Sequence, residues 1–376
     1  MSVRKVSWNT KDGVSERWLV VYFAQESGKR VRRCKNFLLK RDAEDYHAQV
    51  NVAVKSGTHI APSQSPTVAD AAERWIKRVE AEKREPTTVR QYRQHVSKHI
   101  APRIGTVKLA HLTIAKVEDF RDELQRDLSK ALARKVLTSF KSLLKVAKFS
   151  HAAAGVSIKS DKRKRKVEAG RDFPTPVEVR RLIEAVQGHD APTVRLRALL
   201  HVAAFTGLRA SELRGVRWRD IDFKAKMLTV AQRADRFQDI GTPKSASSRH
   251  TVPLTPEVVA TMRAWQVASE HRGGLVFPAR TGRPEDHKTM LRRITPITKA
   301  AKTPGYGLHA FRHFFASWCL NPPERDGLGL QPQDVQRLLG HSSIVMTMDV
   351  YGHLFPGGDH HDKFAAGSRA LLGRGV

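Results

Sequence analysis

Acidic residues are few in this chain and cysteines fewer. Asp and Glu number 37 against 67 Lys and Arg among 376 residues, a formal charge of +30. A polyanionic partner is therefore the first to consider, and nucleic acid fits best. A membrane surface would also attract this charge, but no apolar run approaches the ~18 residues needed to span a bilayer. Met1-Ser2-Val3-Arg4-Lys5 leads into no apolar signal segment, so a soluble intracellular protein is expected. The two cysteines, Cys34 and Cys319, lie far apart, which argues against a disulfide framework or a cysteine-built metal site. There is no internal repeat and no extended low-complexity tract. The length suits two or three domains, each burying its own core.

What is present falls into segments. Residues 17–23 are rich in β-branched and aromatic side chains, Gln25 to Gly28 supply a turn, and residues 29–37 form a second, very basic strand carrying Lys29, Arg30, Arg32, Arg33 and Lys35. A helix from about Arg41 follows, with Ala43, Tyr46, Val50 and Ala53 at helical spacing. Residues 61–66 read as a Pro/Ser linker. Four amphipathic helices then run to about Lys148: one capped by Thr67 with Val68, Ala71, Trp75 and Val79 inward, one starting at Pro86, one marked by Val117, Phe120 and Leu124, and one by Val136, Phe140, Leu143 and Ala147. Four such helices form a compact bundle. A second linker holds five consecutive cations, Lys162, Arg163, Lys164, Arg165 and Lys166. Such a run is a solvated segment or a tether lying along phosphates.

The C-terminal half carries the chemistry. A helix over residues 192–205 ends at Thr206-Gly207, which places Arg209 at the start of the next helix, with Glu212 three residues on and able to hold its guanidinium. Strands are expected at residues 227–231 and 250–254, separated by a hydroxyl-rich basic stretch that includes Lys244. His309 and Arg312 are three apart on one helical face, while Phe311, Phe314, Phe315 and Trp318 supply the buried side, so the polar pair is expected to face out. His313 is adjacent in sequence but lies about 100° away from Arg312 around the helix, and it is set aside. A glycine-flanked His341 precedes Tyr351 by ten residues; Tyr306 is a rival tyrosine read as structural. His353, Asp359, His360, His361 and Asp362 crowd the tail, but their spacing fits no closed ligand pair and Gly357-Gly358 is flexible, so they read as a polar tail and not a metal site. A short helix is expected over residues 363–372.

The strings Thr206-Gly207-Leu208-Arg209-Ala210-Ser211-Glu212-Leu213, His309-Ala310-Phe311-Arg312, Leu338-Leu339-Gly340-His341 and Met346-Thr347-Met348-Asp349-Val350-Tyr351-Gly352-His353-Leu354 together resemble the tyrosine recombinases, in particular integrases of temperate phages and integrative elements. The ten-residue spacing from His341 to Tyr351 departs from the nine of many members and matches longer versions among phage integrases. The resemblance implies a multidomain, mainly α protein. Its parts would be a small α+β arm-type DNA-binding domain (1–62), a helical core-binding bundle (63–160), a basic linker (161–169) and a mixed, mainly α catalytic domain with a small β-sheet (170–376).

It also implies Tyr351 as nucleophile and Arg209, Lys244, His309, Arg312 and His341 as its catalytic company, supported by Glu212, with His309 a general acid/base and Arg312 the second phosphate clamp. Lys244 would be the hairpin lysine that protonates the departing 5′ oxygen. No metal, cofactor or ATP is implied, since the cations of the site are side chains. The expected partners are double-stranded DNA attachment sites and three further copies of the chain in a tetramer; an excisionase and a host DNA-bending protein are admitted, a membrane is not. The expected location is the bacterial cytoplasm, on the nucleoid. A type IB topoisomerase and a non-catalytic DNA-binding regulator on the same fold are the rivals; the N-terminal domain and tail speak against the first, the intact residue set against the second.

Overall fold

In the computed structural model, residues 2–10, 13–26, 29–55, 65–159, 167–243, 246–271 and 273–352 are described. The chain divides into two compact units, Met1–Lys162 and Arg163–Val376.

The first unit contains two separate hydrophobic clusters. One is built on three antiparallel strands, β1 (Ser2–Thr10), β2 (Gly13–Glu26) and β3 (Lys29–Phe37), in that order across the sheet. Trp18, Val20 and Tyr22 alternate along β2 and pack with Ala43, Tyr46 and Val50 of helix α1 (Lys40–Lys55). β1 is not expected from the sequence, because its polar composition hides its alternation. It is a strand because β2 offers it an edge, in register from Ser2 opposite Val21 to Thr10 opposite Gly13. On β3, Arg32 is exposed, Arg33 is half-buried and the Lys35 ammonium sits 4.3 Å from the Tyr46 ring centroid. The side chains of Lys29 and Arg30 lie outside the described part.

The second cluster is the helical bundle. Thr67 and Asp70 form a capping box on α2 (Val68–Ala81), which buries Val68, Ala71, Trp75 and Val79. α3 (Pro86–His95) runs on through a π-helical turn, Val96–Ile100, into the single turn α4 (Ala101–Ile104). α5 (Ile114–Asp127) and α6 (Lys130–Val146) complete it, with Phe120, Phe140 and Leu143 inward. The expected linker over 61–66 is shorter than its composition suggests. Ser65 is buried, its Oγ accepting from the Ala110 amide at 2.9 Å, and the Pro66 carbonyl accepts from the Leu109 amide at 2.9 Å. Residues 61–64, and the cations Lys162, Arg163, Lys164, Arg165 and Lys166, lie outside the described residues.

The second unit opens with α7 (Pro176–Glu184) and α8 (Ala191–Thr206). α8 is buried nearly all round and packs against two later helices, which is why its apolar residues show no single stripe. A one-turn helix, α9 (Ala210–Leu213), leads to strands β4 (Ile221–Asp222) and β5 (Met227–Val230). The stretch before Lys244 forms a hairpin of β6 (Arg233–Ala234) and β7 (Ile240–Gly241), its turn tied by Asp235, whose carboxylate accepts from the amides of Phe237 and Asp239 at 2.7 and 3.0 Å. β8 (His250–Pro253) then pairs antiparallel with β5. The helices α10 (Pro256–Ala268), α11 (His287–Ala300), α12 (Leu308–Leu320), α13 (Pro332–Leu339) and α14 (Ile344–Tyr351) follow; α10 and α12 are the neighbours of α8. Among the described residues no helix is long and apolar enough to cross a membrane.

One buried carboxylate ties this unit together. Glu285 accepts from Arg195 of α8 at 2.9 Å and from Arg293 of α11 at 2.8 Å, and its carbonyl accepts from Arg214 beyond α9 at 2.6 Å. Arg195 also donates to the Pro278 carbonyl. Glu285→Ala would leave Arg195, only 7% exposed, without its counter-charge. A loss of about 3–5 kcal/mol is expected. Urea denaturation of the full chain checks this, and a loss below about 1 kcal/mol would show that the network contributes little.

Candidate active site

The arginine box takes its shape from a glycine. α8 ends at Gly207, which adopts φ +63° where a β-carbon would run into the Phe315 ring. The chain turns sharply there and delivers Arg209 to the N-cap of α9. Glu212, buried in the same turn, accepts from the Arg209 amide at 2.8 Å and from its guanidinium at 2.6 Å. Arg209 also donates to the Gly340 carbonyl at 3.0 Å.

α12 brings the second arginine. Arg312 is 3% exposed, which corrects the expectation that the His309/Arg312 pair faces outward. Helical spacing places the two on one face but says nothing of what covers that face. Here the ends of α8 and α13 cover it: Arg312 donates to the carbonyls of Gly207 and Leu339, both at 2.8 Å. Burial, with Arg209 nearby, lowers its pKa to about 10, so it remains a cation at neutral pH. His309 is exposed by surface area and makes no hydrogen bond among the described residues. Desolvation on its packed side, then Arg312 and Arg209, hold its pKa below the ordinary histidine value.

Leu339 ends α13, and Gly340 takes φ +60°, so His341 leaves the helix toward the arginines. Its Nδ1 lies 2.9 Å from the Thr347 hydroxyl on α14, and Gln336 brackets its backbone. Burial first, then Arg312 and Arg209, push its pKa to about 4. The imidazole is neutral at pH 7. Tyr351, at the last turn of α14, is 2% exposed. Burial raises its phenol pKa and Arg312 opposes the rise, so the hydroxyl lies within electrostatic reach of that guanidinium.

Two histidines belong here that sequence reasoning missed. His313, set aside for its angle to Arg312, places Nδ1 2.6 Å from the Tyr351 hydroxyl. The signal was its spacing of four from His309, which puts those two rings on one stripe, 4.7 Å apart edge to face. His250 on β8 had no such signal. Its Nδ1 donates to the Ser248 carbonyl at 3.1 Å, its ring packs against Gly340, and its Nε2 is buried with no hydrogen-bond partner among the described residues. Its pKa is lowered by burial, and Glu212, Arg312 and Arg209 all act on it electrostatically.

The fold thus gathers Arg209, Glu212, His309, Arg312, His341 and Tyr351 into one cluster. Lys244 lies outside the described residues, although Arg233 holds the Thr242 carbonyl just before it at 3.1 Å. Tyr306 is engaged elsewhere, donating to the Glu178 carboxylate at 3.1 Å. Among the described residues no group of three His, Cys, Asp or Glu could hold a metal ion, and the tail group from His353 to Asp362 lies outside them. A buried and a half-buried guanidinium beside a tyrosine, with neutral imidazoles around them, can bind a phosphodiester and present it to an oxygen nucleophile.

The sequence profile of the phage integrase family matches residues 173–357, and that of the phage integrase N-terminal SAM-like domain matches residues 67–125. The tyrosine recombinase XerC of Xanthomonas campestris pv. campestris (strain B100) is 32% identical over 66% of this chain and 72% of its own length. An integrase of Streptomyces ambofaciens is 26% identical over 92% of this chain and 90% of its own length. Among solved structures, the Tn1549 transposon integrase in complex with a circular intermediate DNA has the same fold, with a TM-score of 0.62 at 19% identity over 81% of this chain and 100% of that one. A lambda integrase tetramer bound to a Holliday junction matches with a TM-score of 0.53 at 18% identity over 90% and 95% of the two chains. The chain belongs to the tyrosine recombinase family.

Proposed function

We propose that this protein is an integrase: a site-specific recombinase that cleaves and rejoins DNA through a 3′-phosphotyrosyl intermediate and so integrates or excises a phage or other mobile element. The observation that carries the proposal is the convergence of two guanidiniums, from helix turns more than one hundred residues apart in sequence, on the Leu339-Gly340 turn next to Tyr351. Each guanidinium keeps N–H donors beyond those given to protein oxygens, and these would grip the scissile phosphate. A phenol titrates near 10 and is a poor nucleophile at pH 7. Fixed cations offset this by stabilising both the phenolate and the extra charge of the pentacoordinate phosphorane.

In this reading Arg209 and Arg312 clamp the phosphate, Glu212 orients Arg209, His309 is a general acid/base, and His341 hydrogen-bonds the phosphate. Lys244 donates the proton taken by the departing 5′ oxygen. The phosphotyrosyl bond conserves the energy of the phosphodiester, so rejoining to another strand needs no ATP. The relatives are named recombinases and integrases, which leaves neither a type IB topoisomerase nor a non-catalytic regulator favoured.

We assign residues 1–62 to arm-site DNA, with Lys29, Arg30, Arg32, Arg33 and Lys35 as its contacts, residues 63–160 to the core site, and residues 170–376 to catalysis, joined by the cationic linker 161–169. The substrate is a pair of double-stranded attachment sites held by a tetramer on the nucleoid, with an excisionase and a host DNA-bending protein as accessory partners.

Three outcomes are expected. On a nicked duplex carrying the crossover site from the ends of the encoding element, in EDTA, the wild-type chain forms an SDS-resistant adduct. Tyr351→Phe forms none while binding the duplex within a few fold, because one hydroxyl is lost and no charge. An adduct in that variant would assign the nucleophile elsewhere.

Arg312→Ala should slow adduct formation by about two to four powers of ten, since removing a buried charge-assisted clamp costs about 3–5 kcal/mol and each 1.4 kcal/mol is tenfold. Arg312→Lys should recover only part of the rate, as one ammonium cannot span two oxygens in parallel. Single-turnover rates decide; a lysine variant as fast as wild type would exclude the bidentate clamp.

Deleting residues 1–62 should spare cleavage of a short core duplex and cripple recombination between full attachment sites. The N-terminal unit raises the effective concentration of the catalytic part at a second, distant site without adding contacts at the cut. Normal recombination by the truncated chain would remove the arm-site assignment.

A further inference from the structure

The chemistry at Tyr351 gives no task to the hairpin of β6 and β7. That hairpin is rooted in the turn that follows the first arginine: Gln232, just before β6, donates to the Gly215 carbonyl at 2.6 Å, and Arg214 donates to the Ala234 carbonyl at 3.4 Å. Arg233 donates to the Thr242 carbonyl at 3.1 Å and ties the two arms of the base together. Gln232, Arg233 and Ala234 are all buried. The root is therefore held to the end of α9, whose N-cap is Arg209.

The tip is built the opposite way. Asp235 accepts the amides of Phe237 and Asp239 on its carboxylate, its own amide donates to the Asp239 carbonyl at 2.8 Å, its carbonyl accepts from Gln238 at 3.2 Å, and Gln238 takes φ +67°. The turn is fixed by its own bonds, and what it holds outward is apolar. Phe237 is 37% exposed and Ile240 45%, with Arg236 exposed beside them. Among the described residues of the second unit, Phe237 is the one exposed phenylalanine, tyrosine or tryptophan. Both acids of the tip are engaged, Asp235 by these amides and Asp239 by Arg283 at 4.0 Å, while Arg236 is in no ion pair among the described residues.

Resting on the recombinase reading above, we propose that the β6–β7 ribbon is a DNA wedge: Phe237 inserts at a base step near the scissile phosphate and unstacks it, while Arg236 holds the adjoining backbone phosphate. A two-stranded ribbon is narrow enough to enter a groove of duplex DNA, and an apolar ring pushed between bases kinks the duplex. α9 spans about 6 Å and the ribbon reaches about 10 Å beyond its root, so the tip falls within about five base-pair steps of a phosphate held by Arg209. The preformed turn loses little freedom on binding, which leaves the stacking of the ring to work against the stacking of the bases. Position and charge identify the occupant: the ribbon grows from the segment that carries Arg209, on a chain of formal charge +30, and its exposed cation suits a polyanion. Rejoining to a new strand requires the cut end to leave its old duplex, and an unstacked step leaves more readily.

The test reads stacking directly. Full-length Tyr351→Phe, which lacks the nucleophile, is added at saturation to crossover-site duplexes that each carry one 2-aminopurine, placed in turn over about five base pairs on either side of the cut. This base brightens when it unstacks. One position should brighten severalfold; adding Phe237→Ala should abolish the rise, and Phe237→Leu, a smaller apolar wedge, should keep part of it. A mismatch at that step is already partly unstacked, so the parent should bind it about tenfold more tightly than the matched duplex, and the Phe237→Ala chain should bind both alike. Arg236→Ala should lower the slope of log Kd against log salt by about 0.9, while Phe237→Ala leaves that slope unchanged. No brightening at any position, or brightening or a mismatch preference that survives Phe237→Ala, would each overturn the wedge. Loss of higher-order complexes on DNA in Phe237→Ala with the brightening intact would assign the ribbon to a neighbouring copy and overturn it too. None of these outcomes touches the recombinase reading, which stands or falls on the wild-type adduct.

Discussion

The buried guanidinium of Arg312 holds the site in one piece. Its two hydrogen bonds end on the carbonyls of Gly207 and Leu339, which close α8 and α13, and so it joins two helix ends far apart in sequence. The last carbonyls of a helix have no partner within it and carry the negative end of the helix dipole, so a cation between two such ends is satisfied by both. Both turns need the left-handed glycines that follow or form them, Gly207 at φ +63° and Gly340 at φ +60°. Arg209 uses the same second turn through the Gly340 carbonyl. The two arginines proposed to clamp the phosphate are thus the same groups that hold the scaffold together.

That arrangement sets the protonation of everything near it. Two arginines in a desolvated cleft disfavour further positive charge, and His250, His309, His313 and His341 are all held below the ordinary histidine range, by burial first and by Arg312 with its neighbours second. Neutral imidazoles can accept as well as donate, which charged ones cannot. Tyr351 is held the other way, its phenol protonated by burial in spite of Arg312. The resting site is therefore cationic at its arginines and neutral elsewhere, a state that favours entry of a phosphate.

Much of this was legible in the chain. Thr67 at the start of α2 reads as a cap because side-chain capping is a local event spanning four residues, and the structure adds Asp70 as the other half of the box. Arg209 with Glu212, and His309 with Arg312, read as pairs because three-residue spacing on a helix is local too. β1 did not read, because its pairing partner and not its own pattern makes it a strand. His250 did not read either, since a histidine in a short strand looks like any other until β8 is laid beside Gly340.

The sequence by itself determined the residue types, the motif order and the helical registers, and with them the family and its chemistry. Tertiary structure decided which side of each motif would be covered. Arg312, expected to face outward, is buried between two helix ends, and His313, set aside for its angle to Arg312, is the residue against the Tyr351 hydroxyl. The physical reason is one of range: a helix fixes angles among its own side chains within a turn or two, whereas burial and hydrogen-bond partners depend on surfaces that arrive from residues dozens of positions away.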